Sequence, residues 1–84
     1  MRWTELTINS SNLAAEAVGV IVQDAAGGFT IRNTSQSAVM RAWLPENEEL
    51  EGRIEGLRQR FANLPEELLE DGVPSIERTS VDEE

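Results

Sequence analysis

The chain has no cysteine and no histidine among its 84 residues. That removes disulfides, thiolate nucleophiles, most zinc sites and the usual general base in one step. Carboxylates alone remain as candidate catalysts or hard-metal ligands. Lysine is also absent, so the seven basic residues are all arginines, set against sixteen acids for a net charge of −9. Nucleic-acid binding draws on positive charge through counterion release, so this balance argues against direct nucleic-acid contact and favours a basic protein as partner. Long apolar runs are missing too. Leu13 to Val22 is the longest nearly apolar stretch, it is interrupted by Glu16, and it falls far short of the roughly 20 residues of a bilayer span. Arg2 is followed by Glu5 with no apolar core or small-residue cleavage site of a signal peptide. The expected location is cytoplasmic, with no membrane partner.

What is present is the composition of an ordinary soluble domain, 39% hydrophobic and 27% charged. A chain of this size should fold to about 5,000 Å² of surface from roughly 13,500 Å² unfolded, enough for one modest core and one domain.

Leu6 and Ile8 alternate with Trp3, Glu5 and Thr7, which predicts a half-buried first strand over Arg2 to Ile8. Asn9-Ser10-Ser11 then offers side-chain oxygens to cap free helix amides. The helix that follows runs to about Ala25, with Ala14, Ala17, Val18, Ile21 and Ala25 in one arc and Glu16, Gly19 and Gln23 opposite. Gly27-Gly28 ends it, because glycine takes the left-handed C-cap conformation at little cost. Phe29 to Arg32 reads as a short second strand with Phe29 and Ile31 inward, and the polar stretch Asn33 to Ser37 as the turn of a hairpin. The third strand, Ala38 to Leu44, carries Arg41 on its outer face. Val39 and Trp43 therefore lie outside with it, while Met40, Ala42 and Leu44 enter the core.

Leu50, Ile54, Leu57, Phe61 and Leu64 form one apolar stripe of a second helix, supported by the Glu49 and Arg53 i,i+4 pair. Gly52 and Gly56 lie on its far side, where they are either unselected or allow close approach of another domain. Pro65 breaks the helix, Glu66 to Leu69 makes a further short turn ended by Gly72, and a last strand covers about Ser75 to Val81. Right-handed crossovers put both helices on one sheet face. The resulting fold is a ferredoxin-like α/β plait, βαββαβ, of the α+β class, with a four-stranded antiparallel sheet in the order 4-1-3-2. The other sheet face stays open.

Five segments occur in a recognisable order: the opening Arg2-Trp3-Thr4-Glu5-Leu6-Thr7-Ile8, the exit Ala25-Ala26-Gly27-Gly28, Val39 to Pro45 (VMRAWLP), Glu48 to Arg60 (EELEGRIEGLRQR) and Ser80-Val81-Asp82-Glu83-Glu84. In that order they resemble the amino-terminal domain of the ribosomal protein L-eleven methyltransferase, the PrmA family. The resemblance implies a substrate-recognition module over residues 1–81, with 82–84 starting a linker to a methyltransferase domain outside the chain. It implies a basic large-subunit ribosomal protein as partner, and S-adenosylmethionine as cofactor of that other domain. The chain departs from the family pattern after Gly28, where Arg32-Asn33 stands in place of an acidic pair.

No catalytic, cofactor-binding or metal-binding residues are assigned in this chain. Gly27-Gly28 follows a helix and precedes a strand, the wrong order for a cofactor-binding glycine loop. An acylphosphatase-type enzyme would need an arginine after the first strand, and Asn9-Ser10-Ser11-Asn12 supplies none. The acidic runs Glu46 to Glu51, Glu66 to Asp71 and Asp82 to Glu84 lack the alternating ligand spacing of a calcium loop and read as solvated faces.

The candidate interaction residues are Trp3, Glu5, Arg41 and Trp43. An antiparallel register that sets Trp3 against Trp43 also sets Glu5 against Arg41 and Thr7 against Val39. Cross-strand pairs of these kinds stabilise by about 0.2 to 1 kcal/mol and can be purely structural. Two indoles exposed on a small domain also make a surface suited to a partner. RNA-recognition domains share the topology and stack bases on the same strands, so an RNA-binding module is the main alternative, with a small-molecule regulatory domain behind it.

Overall fold

The computed structural model describes residues 2–70 and 72–82. The elements are β1 (Arg2–Ser10), α1 (Ala15–Ala26), β2 (Thr30–Asn33), β3 (Ala38–Pro45), α2 (Leu50–Ala62), a short 3-10 turn (Glu66–Leu69) and β4 (Ser75–Asp82). The sheet order is β2-β3-β1-β4 with every pairing antiparallel, the predicted plait read from its other edge. β4 continues through Asp82, which pairs with Arg2, so the strand takes in the first residue of the expected linker. Glu83 and Glu84, the rest of that linker, and Asp71 of the second acidic run lie outside the described residues.

The period-two pattern of β1 works as expected. Thr4, Leu6, Ile8 and Ser10 are buried while Trp3, Glu5, Thr7 and Asn9 are half-buried on the other face. On β3 the buried set is Ala38, Met40, Ala42 and Leu44. These side chains join Val18, Val22, Ile54, Leu57 and Phe61 in one core between the sheet and the two helices. Burial of each large apolar side chain contributes about 1.5 to 3 kcal/mol relative to exposure, which makes this layer the main source of stability.

The register differs from the expected one by two residues. Trp3 lies opposite Pro45, Glu5 opposite Trp43, Thr7 opposite Arg41 and Asn9 opposite Val39. A shift of two leaves every side chain on its face, so hydrophobic patterning cannot distinguish the two arrangements. The observed one sets Leu6 against Ala42 and Ser10 against Ala38, and pairs eight residues of each strand. The expected one would have placed the charged Arg2 opposite Leu44 and left Ser10, which is buried, without a partner on β3.

The α1 segment also departs from expectation. Ser10 stays in β1, and the Ser11 hydroxyl accepts the Ala14 N–H at 3.1 Å in the turn that leads into the helix. The buried face is Ala15, Val18, Gly19, Ile21 and Val22, so Gly19 points inward and not out. It lies beneath the Phe29 ring, whose Cζ would be 3.1 Å from any added Cβ. Gly27 ends the helix at φ 75°, donating its N–H to the Gln23 carbonyl, a conformation a side chain would strain.

α2 buries Leu50, Ile54, Leu57 and Phe61, with Leu64 packed at the core's edge. Its start is held by the Asn47 side-chain oxygen, which accepts the Glu49 N–H at 2.9 Å. The predicted Glu49 and Arg53 pair forms at 3.0 Å. Arg60 reaches Asp24 of α1 at 2.9 Å and Arg78 of β4 reaches Glu51 at 2.8 Å. These pairs are solvent-exposed and each contributes under about 1 kcal/mol.

Candidate functional site

Because strand side chains alternate, the register determines which residues meet on the sheet face away from the helices. Four rows cross it. The first is Pro45, Trp3, Val81 and the second Trp43, Glu5, Thr79. The third is Thr30, Arg41, Thr7, Glu77 and the fourth Arg32, Val39, Asn9, Ser75. All four candidate residues therefore share the open face. All three expected direct pairs are replaced: Trp43 is lateral to Glu5 and diagonal to Trp3, Arg41 is lateral to Thr7 and diagonal to Glu5, and Val39 is lateral to Asn9 and diagonal to Thr7.

One end of this face is apolar. Trp43 is 39% exposed and Val81 40% exposed, with Trp3 and Pro45 half-buried between and beside them. The exposure of Trp43 has a simple cause. β2 begins at Thr30, opposite Arg41, so no β2 residue stands beside the indole. Diagonal neighbours on a strand pair are about 7–8 Å apart, within reach of large rings, so Trp3 and Trp43 form a continuous patch. Sequence reasoning missed Pro45 and Val81. Pro45 lies one residue past the expected strand end at Leu44, yet it is two residues beyond Trp43 in the same alternation, and that spacing is the available signal.

The open face is electrically balanced, Glu5 and Glu77 against Arg32 and Arg41. The net charge of −9 therefore comes from elsewhere. Glu46, Glu48, Glu49 and Glu51 follow Pro45 directly in the chain, where β3 hands over to α2. The Glu46 N–H donates to the Arg2 carbonyl at 3.0 Å, and the Ser80 hydroxyl donates to the Glu46 carboxylate at 2.8 Å. These bonds hold the acidic turn at the apolar end of the sheet.

The fold and this face define an α/β plait with a half-exposed aromatic surface bordered by carboxylates, a surface suited to recognition. No protein-family model matches the chain. The chain is similar to the ribosomal protein L11 methyltransferase of Alkaliphilus oremlandii (strain OhILAs), at 28% identity over 108 residues that take in 100% of this chain and 34% of that protein. It thus spans about a third of the length of the curated relative it matches. The resemblance drawn from the sequence segments stands as a distant relation to this methyltransferase. Among the described residues no helix is long and apolar enough to cross a membrane.

Proposed function

We propose that this chain is a protein-recognition module of a ribosomal protein methyltransferase, corresponding to its amino-terminal domain. It holds a basic large-subunit ribosomal protein for S-adenosylmethionine-dependent methylation by a catalytic domain outside these 84 residues. The observation that carries the reading is the apolar patch of Trp3, Trp43, Pro45 and Val81 ending at the acidic turn Glu46 to Glu51. The likeness over the whole chain to a ribosomal protein methyltransferase supports it.

The division of labour follows from the charge map. Indoles in the middle of an interface supply large buried area and dominate its energy, with a polar rim around them. Carboxylates at the rim steer a cationic partner, and act mainly on the association rate and its salt dependence. The chain itself has no glycine-rich strand-to-helix loop to hold S-adenosylmethionine, so catalysis and cofactor binding are assigned to the other domain. An RNA platform would use the same central strands, but on this face Arg32 and Arg41 are offset by Glu5 and Glu77, which disfavours a phosphate chain.

The test is calorimetric titration of the chain with purified ribosomal protein L11, at low and high salt. Saturable binding that weakens with salt is expected. Trp43→Ala should reduce affinity about thirtyfold or more, the effect of a lost 2 kcal/mol anchor, while leaving the circular dichroism spectrum unchanged. Tight binding of single-stranded RNA, or of S-adenosylmethionine by the isolated chain, would contradict the proposal. So would the absence of any association with the ribosomal protein.

A further inference from the structure

β2 is an edge of the sheet, and the outer main-chain groups of Thr30–Asn33 have no partner strand among the described residues. Such an edge is a template for one more strand, and the side chains on its two faces decide which strand fits. On the helix side, Phe29 and Ile31 face Ala15, Gly19 and Val20 of α1 across an apolar groove of about 600 Å³. Ile31 lies opposite the buried Met40 and so is on the helix side, but it is not buried there as expected: it is 48% exposed and Val20 is 65% exposed. The absent side chain at Gly19 keeps the groove open beneath Phe29. Its end is closed by polar bonds, Asn12 Nδ2 donating to the Thr34 carbonyl at 2.9 Å and Asn33 Nδ2 to Asn12 Oδ1 at 3.2 Å.

On the opposite face of the same edge, Thr30, Arg32 and Arg41 border a second hollow of about 390 Å³. Arg32 and Arg41 are exposed, and neither takes part in an ion pair among the described residues. In a chain with sixteen acids this is a local reversal of charge. A strand added outside β2 meets Arg32 and Arg41 first, because Glu5 on β1 and Glu77 on β4 lie one and two strands beyond Arg41. With a Debye length of about 8 Å at physiological salt, the farther charges are screened more.

We propose that the β2 edge accepts an extended acidic and apolar peptide segment as a fifth strand. Alternate side chains of that segment point to opposite faces, apolar ones into the groove between α1 and β2 and carboxylates onto Arg32 and Arg41. Glu16 lines the groove on the helix side and repels a carboxylate there, which selects the orientation of the added strand. A second copy of the chain fits less well, because it brings another −9 charge and a second Arg32 to the same edge. The surface adjoins the indole patch through Arg41, two residues from Trp43 on the same strand face, but the inference does not depend on what that patch binds.

The test is a nuclear magnetic resonance titration of the ¹⁵N-labelled chain with a blocked peptide of alternating valine and glutamate, roughly six residues long, the usual length of a strand. Saturable shifts are expected at Thr30–Asn33 and along Val20 to Phe29. The Arg32→Glu/Arg41→Glu double variant should bind this peptide at least ~tenfold more weakly, and should gain affinity for the matching valine and lysine peptide. Both positions are exposed, and unchanged resonances away from the β2–β3 corner will show that the variant folds. Val20→Glu, which adds a carboxylate to the groove, should weaken binding independently. No saturable shift at millimolar peptide, shifts confined to the β4 edge, or equal binding of the lysine peptide by the unmodified chain would overturn the proposal. Concentration-dependent β2 shifts without peptide would overturn it in favour of a second copy.

Discussion

Replacing both Gly52 and Gly56 by alanine should stabilise this protein, and the size of the effect can be worked out from α2. Both lie inside Leu50–Ala62 with negative φ, since the positive-φ glycines among the described residues are Gly27 and Gly72. A Cβ built at either position meets no atom within 4 Å outside its own helix. The substitution therefore adds no clash and removes only the entropic cost of glycine, about 0.8 to 1 kcal/mol at each site. Together the two should contribute about 1.6 to 2 kcal/mol. For a domain of this size 1 kcal/mol moves Tm by about 4–8 °C, so a rise on the order of 10 °C is expected. Thermal unfolding followed by far-ultraviolet circular dichroism reads it, and urea unfolding should show a higher midpoint at unchanged slope. Gly19→Ala is the internal control. It offers the same helical gain but sets a methyl 3.1 Å from the Phe29 ring, so its net effect should be smaller than that of either α2 site. A double variant that is less stable than the parent would refute the reasoning, and would mean that this face of α2 is packed against something.

Three further outcomes follow from the packing. Leu6→Ala, at a fully buried position on a central strand, should cost about 2–5 kcal/mol by urea unfolding; a cost below 1 would show that the core is not built around this strand. Thr7→Cys with Arg41→Cys should oxidise readily to an intramolecular disulfide, because these residues are directly opposed, whereas Thr7→Cys with Val39→Cys should not. The opposite pattern, read by mass spectrometry, would restore the register in which Thr7 meets Val39. Arg60→Ala should change stability by less than about 1 kcal/mol, since its pair with Asp24 is exposed; a larger loss would show that the guanidinium stem packs on α1.

Much of the architecture was legible because it rests on local periodicity. The alternation of Leu6 and Ile8 with Glu5 and Thr7, and the Leu50 to Phe61 stripe, each tie a side chain's position in sequence to its position in space through one backbone geometry. The same logic put Trp3, Glu5, Arg41 and Trp43 on one face. α1 was less legible. Ala14 to Val22 is nearly apolar all round, and glycine has no side chain to reveal its direction, so Gly19 was placed outside when it lies under Phe29.

The chain's own sequence thus determined the element order, the plait topology and the side of the sheet on which the β1 and β3 residues lie, since all three follow from short-range pattern and the handedness of crossovers. The pairing of one residue with another was decided only by the tertiary structure. A two-residue slip between β1 and β3 costs nothing in pattern, and is settled by how Leu6, Ala42, Ser10 and Ala38 pack and by how much of each strand finds a partner. That choice puts Pro45 beside Trp3, as the β1–β4 pairing puts Val81 there, while the start of β2 at Thr30 leaves Trp43 without a β2 neighbour. The separate pairing of β2 with β3 brings Arg32 and Arg41 to diagonal positions from nine residues apart. Proximity of that kind is a property of the packed sheet, because no local conformational preference connects residues so far apart along the chain.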